Sequence, residues 1–166
     1  MEQNTTRSRK ILALVLFIAL PLVVGVISSA ITGEYVARYG QMIQPMLSPP
    51  AWVFPVVWTC LYVMMGLGSF FLWTANLKYE EQFRERRVAL MIYFIQLIFN
   101  FCWSIFFFVF ELYWLSFGWL MIMWFMLIVL VVKSAKISVK AMILFLPYLF
   151  WSTFAAYLTL MSAVLN

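Results

Sequence analysis

The chain has no histidine, only two cysteines, and charged residues at only 10% of its length. Each scarcity excludes a class of chemistry. Without an imidazole, no serine or cysteine can be activated by the usual general base. A zinc site wants three or four ligands, and Cys60 and Cys102 alone do not make one. Both cysteines lie inside apolar runs and read as small buried hydrophobes, which leaves the redox compartment open. No apolar run holds paired carboxylates, and no glycine-rich phosphate loop follows a strand. Hydrolytic and phosphoryl-transfer machinery is therefore not encoded in any usual form, and no metal site is expected. Internal repeats and low-complexity linkers are also missing.

What is present is apolar: 66% of residues are hydrophobic and 20% aromatic. A soluble domain is about one quarter charged, so water is not the solvent for most of this surface. A membrane-crossing helix needs about 20 apolar residues. Five stretches meet that length, at 10–31, 51–76, 88–110, 112–132 and 141–164. They are apolar all round instead of alternating, which excludes a transmembrane barrel. The expected fold is an all-α membrane protein, a five-helix bundle forming a single domain over 1–166. Spans three and four meet near Glu111 as a tight hairpin. The longest connection, at 32–50, joins spans one and two and ends in Pro45, Pro49 and Pro50.

The net charge of +5 could suggest a nucleic-acid partner. The basic residues, however, sit in short segments between the spans, where they act as topology signals. With five crossings, the N-terminus and the second and fourth loops share one side. That side carries ten of the eleven basic residues: Arg7, Arg9, Lys10, Lys78, Arg84, Arg86, Arg87, Lys133, Lys136 and Lys140. Only Arg38 lies on the other. The expected N-terminus is cytoplasmic, with the long first loop outside as a lid. Span one, with its basic start and Ser28-Ser29-Ala30, imitates a signal peptide, although its apolar run exceeds the usual length. The mass of the intact protein distinguishes cleavage from retention.

None of the spans has a charge near its centre, whereas proton-coupled exporters and charge-selective channels normally need one. The interior polar groups are neutral. Gln96, Asn100, Trp103 and Ser104 share one face of span three. Two amides in lipid need partners, either on a neighbouring helix or on a ligand. In span two, Trp58, Tyr62 and Met65 fall at i, i+4 and i+7 on one face. In span five, Pro147, Trp151, Ala155 and Leu158 form a stripe; Pro147 favours a kink and Ala155 leaves room beside Trp151. Gly25, Ser28 and Thr32 in span one are small enough to let helices approach closely.

Taken together, these pieces resemble the TspO/MBR family of tryptophan-rich sensory proteins and translocator proteins. The resemblance runs from about Gly25 to Leu158. It rests on G-x-x-S-x-x-x-T at Gly25–Thr32 and on Pro-Pro-x-Trp-Val-Phe at Pro49–Phe54. Val57-Trp58-Thr59, Leu61-Tyr62 and Met65-Gly66 follow. Span three adds Tyr93-x-x-Gln96-Leu97-x-x-Asn100-x-x-Trp103-Ser104 and Phe106-Phe107. The last pieces are Pro147-Tyr148-Leu149-x-Trp151 and Phe154-Ala155. The chain departs from the family pattern in the first loop: Arg38-Tyr39 replaces Trp-Tyr, Gln44-Pro45 replaces Lys-Pro, and Leu47 replaces a Trp. Pro55 stands one place early, so the start of span two is expected to bend differently.

The resemblance implies a five-helix bundle, usually a homodimer, that binds porphyrins and benzodiazepine-type or isoquinoline drugs in a pocket covered by the first loop. By position it implies pocket roles for Tyr39, Pro45, Trp58, Tyr62, Asn100, Trp151 and Ala155, and more weakly for Gln96, Ser29 and Trp103. A flat apolar macrocycle needs aromatic faces and a few orienting polar groups, in agreement with those residues. Porphyrin is then a ligand, not a required cofactor. Without histidine there is no ordinary axial ligand, so metal-free protoporphyrin, or haem held without histidine, fits better. Three functions follow as expectations. The first is a porphyrin sensor or transporter. The second is a light-dependent porphyrin-degrading enzyme using Trp58 and Trp151. The third is a regulatory membrane partner with a vestigial pocket. The segment from Tyr157 to Asn166 has no Lys or Arg, so the Tyr-then-basic cholesterol motif is missing there. That points to a bacterial cell membrane and not the mitochondrial outer membrane.

Overall fold

The computed structural model describes the backbone of residues 2–166 and the side chains of 7–36 and 39–166. Five α-helices follow one another: α1 Glu2–Tyr39, α2 Val53–Thr74, α3 Glu80–Ser104, α4 Tyr113–Ile137 and α5 Val139–Leu165. A π-helical turn, Ile105–Val109, continues α3. No strand occurs among the described residues. All five helices are long and apolar enough to cross a membrane. The shortest, α2, has 22 residues, or about 33 Å at 1.5 Å per residue, against about 30 Å of hydrocarbon.

The surface is that of a lipid-solvated protein. Leu12, Leu16, Val26, Ile98, Phe125, Val132 and Phe150 are all exposed. Exposed Trp73 and Tyr79 ring one end and exposed Trp52 and Trp114 the other, where amphipathic rings prefer the headgroup level. Cys60, expected to be buried, is on this outer surface and Cys102 is half-buried. Cys60 follows Trp58 by two residues, which turns it to the opposite side of α2. Hydroxyls inside the helices bond back to their own backbone. Thr32, Ser69, Ser134 and Thr159 donate to the carbonyls of Ser28, Met65, Leu130 and Ala155, which satisfies them where water is absent.

The helices are arranged in the order α1, α2, α5, α4, α3 and back to α1. Consecutive α2 and α3 therefore face each other mainly across the interior. Glycine sets the tightest approach: a Cβ on Gly66 would lie 2.5 Å from the Phe17 carbonyl oxygen and 2.6 Å from Ile18 Cα. Backbone thus packs on backbone between α1 and α2. Trp119 of α4 stacks on Phe99 of α3 at 4.2 Å and donates to the Phe99 carbonyl at 2.9 Å. Trp124 Nε1 of α4 donates to Thr153 Oγ1 of α5 at 2.8 Å. At the basic end, Lys133 pairs with Glu85.

The first connection differs from expectation. α1 does not stop at residue 31 but continues through Tyr39, which shortens the lid to 40–52. The apolar run ends where the chain leaves hydrocarbon, and a helix need not end there. Gly33 is the weakest helix former near the end of that run, and its position faces open space. The side chain of Arg38, assigned above to the outer side, lies outside the described residues. The α3–α4 hairpin is as tight as expected, and Glu111 turns it with φ of 54°. α5 runs through Pro147. Pro55 falls in the first turn of α2, where its missing N–H would have had no helical partner anyway.

Candidate functional site

The site lies between α2, α3 and α5 at the lid end of the bundle. Trp58 and Tyr62 are one turn apart on α2, with ring centroids 5.6 Å apart. Trp58 also meets Trp103 of α3 at 6.4 Å and Tyr148 of α5 at 6.0 Å. Trp103 stacks on Phe107 of the π turn at 5.5 Å, and Phe107 touches Tyr39 at 5.7 Å. Tyr39 meets Phe54 at 6.1 Å, and Phe54 meets Trp151 at 6.1 Å. Trp151 is one turn beyond Tyr148 on α5. Six ring contacts therefore link Tyr148, Trp58, Trp103, Phe107, Tyr39, Phe54 and Trp151 in turn, and the two ends of this aromatic circuit lie one turn apart on α5. Centroid separations of 4.5–7 Å are those of favourable aromatic pairs.

A neutral polar network lies beneath the circuit. Tyr62 Oη donates to Asn100 Oδ1 at 2.8 Å. Tyr148 Oη donates to Gln96 Oε1 at 2.7 Å and accepts from Asn100 Nδ2 at 3.4 Å. Gln96 and Asn100 are both fully or almost fully buried. Three helices are thus joined through two amides and two phenols without any charge. The interhelical reading of the amides is realised in this network; it does not exclude a ligand, because Gln96 Nε2 still has no partner. The Nε1 atoms of Trp103 and Trp151 are also buried without one.

The structure brings Tyr39, Trp58, Tyr62, Gln96, Asn100, Trp103 and Trp151 together. Pro45 is buried in the lid, and Ala155 is buried on α5 one turn past Trp151. Ser29 is not brought in. It sits on the exposed face of α1, because its neighbour Ser28 takes the inward position and meets Ser104 at 2.6 Å. Gly25 does more than permit helix approach: an added Cβ would fall 2.3 Å from Tyr62 Cε2, so its missing side chain makes room for that ring.

Sequence reasoning missed Phe54, Phe107, Phe108 and Tyr148. Phe54 was within reach, since it precedes Trp58 by one turn on the same stripe. Tyr148 carried a signal too, because a phenol in an apolar span needs a partner. Phe107, four residues after Trp103, was within reach as well, and Phe108 was hidden by the π turn. Phe110 N bonds the Ile105 carbonyl at 3.1 Å, and the widened turn lets both rings touch Tyr39 and Trp103. Such turns recur at functional sites.

The lid closes over the circuit through polar contacts. Tyr39 Oη lies 3.3 Å from Ser48 Oγ, and Ser48 donates to Gln44 Oε1 at 2.8 Å. Gln44 Nε2 returns to the Tyr39 carbonyl. Asn166 grips the backbone of Ile43 twice, accepting from its N–H at 3.1 Å and donating to its carbonyl at 3.2 Å. Tyr113 Oη donates to Met42 Sδ at 3.3 Å.

Known proteins share this chain's pattern. The TspO/MBR family model matches residues 17–164. "Tryptophan-rich protein TspO" of Chlorobaculum tepidum is 32% identical over 160 residues, covering 96% of this chain and 99% of its own length. "Tryptophan-rich sensory protein" of Cereibacter sphaeroides is 33% identical over 128 residues, covering 77% of this chain and 76% of its own. "Translocator protein" of Ovis aries is 32% identical over 129 residues, covering 77% and 74%. With five membrane helices and a match over nearly its whole length, the chain is an integral, multi-pass membrane protein of the TspO/MBR family.

Proposed function

We propose that this protein binds a flat, largely apolar tetrapyrrole, a porphyrin, in the aromatic circuit, and that it senses or translocates that ligand. The observation that carries the reading is the run of seven aromatic side chains, joined by six ring contacts and drawn from α1, α2, the end of α3 and α5. Aromatic faces stack on a macrocycle, and neutral amides orient it without charging the membrane interior. The rings touch one another, so a macrocycle enters by parting them. The lid at 40–52 is the segment that must yield. Two of the relatives are named for sensing and for translocation, and those names agree with a ligand-responsive membrane bundle. The Chlorobaculum and Cereibacter relatives are bacterial, which favours a bacterial cell membrane.

The test is quenching of tryptophan fluorescence by protoporphyrin IX in the purified protein. Trp58→Ala should weaken binding at least tenfold, because Trp58 touches Tyr62, Trp103 and Tyr148. Unchanged affinity in Trp58→Ala and in Trp151→Ala would reject the assignment. A second reading, light-driven oxidation of bound porphyrin with dissolved dioxygen as the oxidant, is favoured by the same clustering of oxidisable rings about Trp58. It requires a new product spectrum under illumination that is absent in the dark.

A further inference from the structure

The end of the bundle opposite the lid carries charges that the chain itself does not pair. By sequence it holds ten basic residues against four acidic ones, Glu2, Glu80, Glu81 and Glu85. Among the described residues a single ion pair forms, between Lys133 and Glu85. Arg86 is the most constrained of the other cations. It is half-buried, its Nη1 donates to the Trp73 carbonyl at 3.1 Å, and its guanidinium lies 5.4 Å from the centre of the Phe83 ring. Trp73 stands in the last turn of α2, which has no basic residue of its own, so Arg86 supplies the cation that this helix end favours. A guanidinium has five N–H donors, and one bond leaves most of the fork free. Arg87 beside it is exposed and, among the described residues, has no partner. The two arginines, Glu80 and Phe83 line one open cleft of about 260 Å³. Glu80, Phe83 and Arg87 fall at i, i+3 and i+7, a single stripe of α3. Phe83 is exposed there, as are Trp73 and Tyr79 at the same end, and such rings sit at headgroup level. The cleft therefore opens in the layer where lipid phosphates lie.

We propose that this cleft binds the phosphodiester of an anionic membrane lipid of the phosphatidylglycerol kind. Guanidinium forks match phosphate oxygens two at a time. Phe83 offers an apolar wall to the glycerol backbone and the first acyl carbons. Two arginines and one glutamate leave the cleft with one net positive charge, which a singly charged phosphodiester neutralises. A zwitterionic lipid brings an ammonium to an end already rich in cations, which attracts anionic headgroups instead. A doubly charged phosphomonoester meets the carboxylate of Glu80. The cleft lies at the far end of the bundle from the aromatic circuit, so its occupant is independent of the porphyrin.

The experiment places the full chain in dodecyl maltoside micelles with equal amounts of dioleoyl phosphatidylglycerol and dioleoyl phosphatidylcholine. Native mass spectrometry reads the bound lipid. The parent should retain phosphatidylglycerol at least fivefold over phosphatidylcholine. Arg87→Gln should lower that ratio at least threefold; Arg87 is chosen over Arg86 because Arg86 also serves the end of α2. Lys136→Gln removes another exposed cation, one outside the cleft, and should leave the ratio unchanged. Glu80→Gln takes a negative charge out of the cleft and should raise it. A parent ratio near one overturns the proposal, as does an unchanged ratio in Arg87→Gln or a lower one in Glu80→Gln. An equal fall in Lys136→Gln and Arg87→Gln also overturns it, since a diffuse field and not a site then holds the lipid. Inorganic phosphate at a hundredfold excess over the lipid should not displace phosphatidylglycerol; displacement marks a site for the free ion and overturns the lipid assignment.

Discussion

Tyr148→Phe tests whether the network beneath the circuit holds the helices together. The phenol of Tyr148 donates to Gln96 Oε1 at 2.7 Å and accepts from Asn100 Nδ2 at 3.4 Å. Tyr148 has no exposed surface at all, so phenylalanine leaves the ring in place and water does not replace the hydroxyl. One amide oxygen and one amide N–H then lose their partners. Stranding a buried polar group costs about 1–3 kcal/mol, while interhelical hydrogen bonds in membrane proteins average about 0.6 and reach about 1.7 kcal/mol. One short and one long bond together give an expected loss of about 2 kcal/mol. For a chain of this size that lowers the unfolding midpoint by about 4–8 °C. Tyr62→Phe strands only Asn100 Oδ1 and should cost about half as much. The decisive variant adds Gln96→Leu to Tyr148→Phe. It removes the stranded oxygen together with the orphan Nε2, and replacing both partners by apolar groups is near neutral. The double variant should therefore be more stable than Tyr148→Phe alone. Thermal and SDS-titration unfolding of ligand-free protein in one detergent supplies the measurement. A Tyr148→Phe protein within about 0.5 kcal/mol of the parent, or a double variant less stable than the single one, refutes the reasoning.

Further expectations follow from the packing and the lid. Gly66→Val drives a side chain into the α1 backbone and should cost about 2–3 kcal/mol or more. Gly118→Ala, with nothing within 4 Å of the new atom, should gain up to about 1 kcal/mol; equal effects in the two unfolding curves would contradict the close α1–α2 approach. Asn166→Ala removes both side-chain bonds to Ile43. It should speed hydrogen exchange at the Ile43 amide while leaving the unfolding free energy within about 1 kcal/mol of the parent; unchanged exchange would mean that Asn166 does not hold the lid. Labelling in sealed vesicles should find Lys78 and Lys136 on one side and a cysteine at Ser48 on the other, in a background lacking Cys60 and Cys102. Any other partition contradicts the basic bias.

The candidate site was legible to different depths in different helices. Trp58, Tyr62, Gln96, Asn100 and Trp103 stood out because an aromatic stripe and two amides in otherwise apolar runs have few places to go. Ser29 lies on the exposed face of α1, while Ser28 turns inward. Adjacent positions on a helix differ by 100°, and Ser28 and Ser29 are chemically identical, so only the neighbour Ser104 distinguishes them. Phe107 follows Trp103 by four residues and could be placed on its stripe by counting turns, whereas Phe108 could not, because the π turn changes the count. The lid was overestimated because hydropathy reports where lipid ends, and α1 continues two turns farther.

Solvent class, the number of crossings and the sidedness of the basic residues were all determined by the amino-acid sequence alone. They depend on composition and charge summed along a span, and the bilayer reads those locally. Which faces meet was decided only in the tertiary structure. A helix that is apolar all round has no hydrophobic contrast to orient it in lipid, so its rotation is set by close packing and by scarce hydrogen bonds. The order α1, α2, α5, α4, α3, the backbone approach at Gly66 and the bonds joining Tyr62, Asn100, Tyr148 and Gln96 arise at that level. They turn five interchangeable spans into one aromatic circuit.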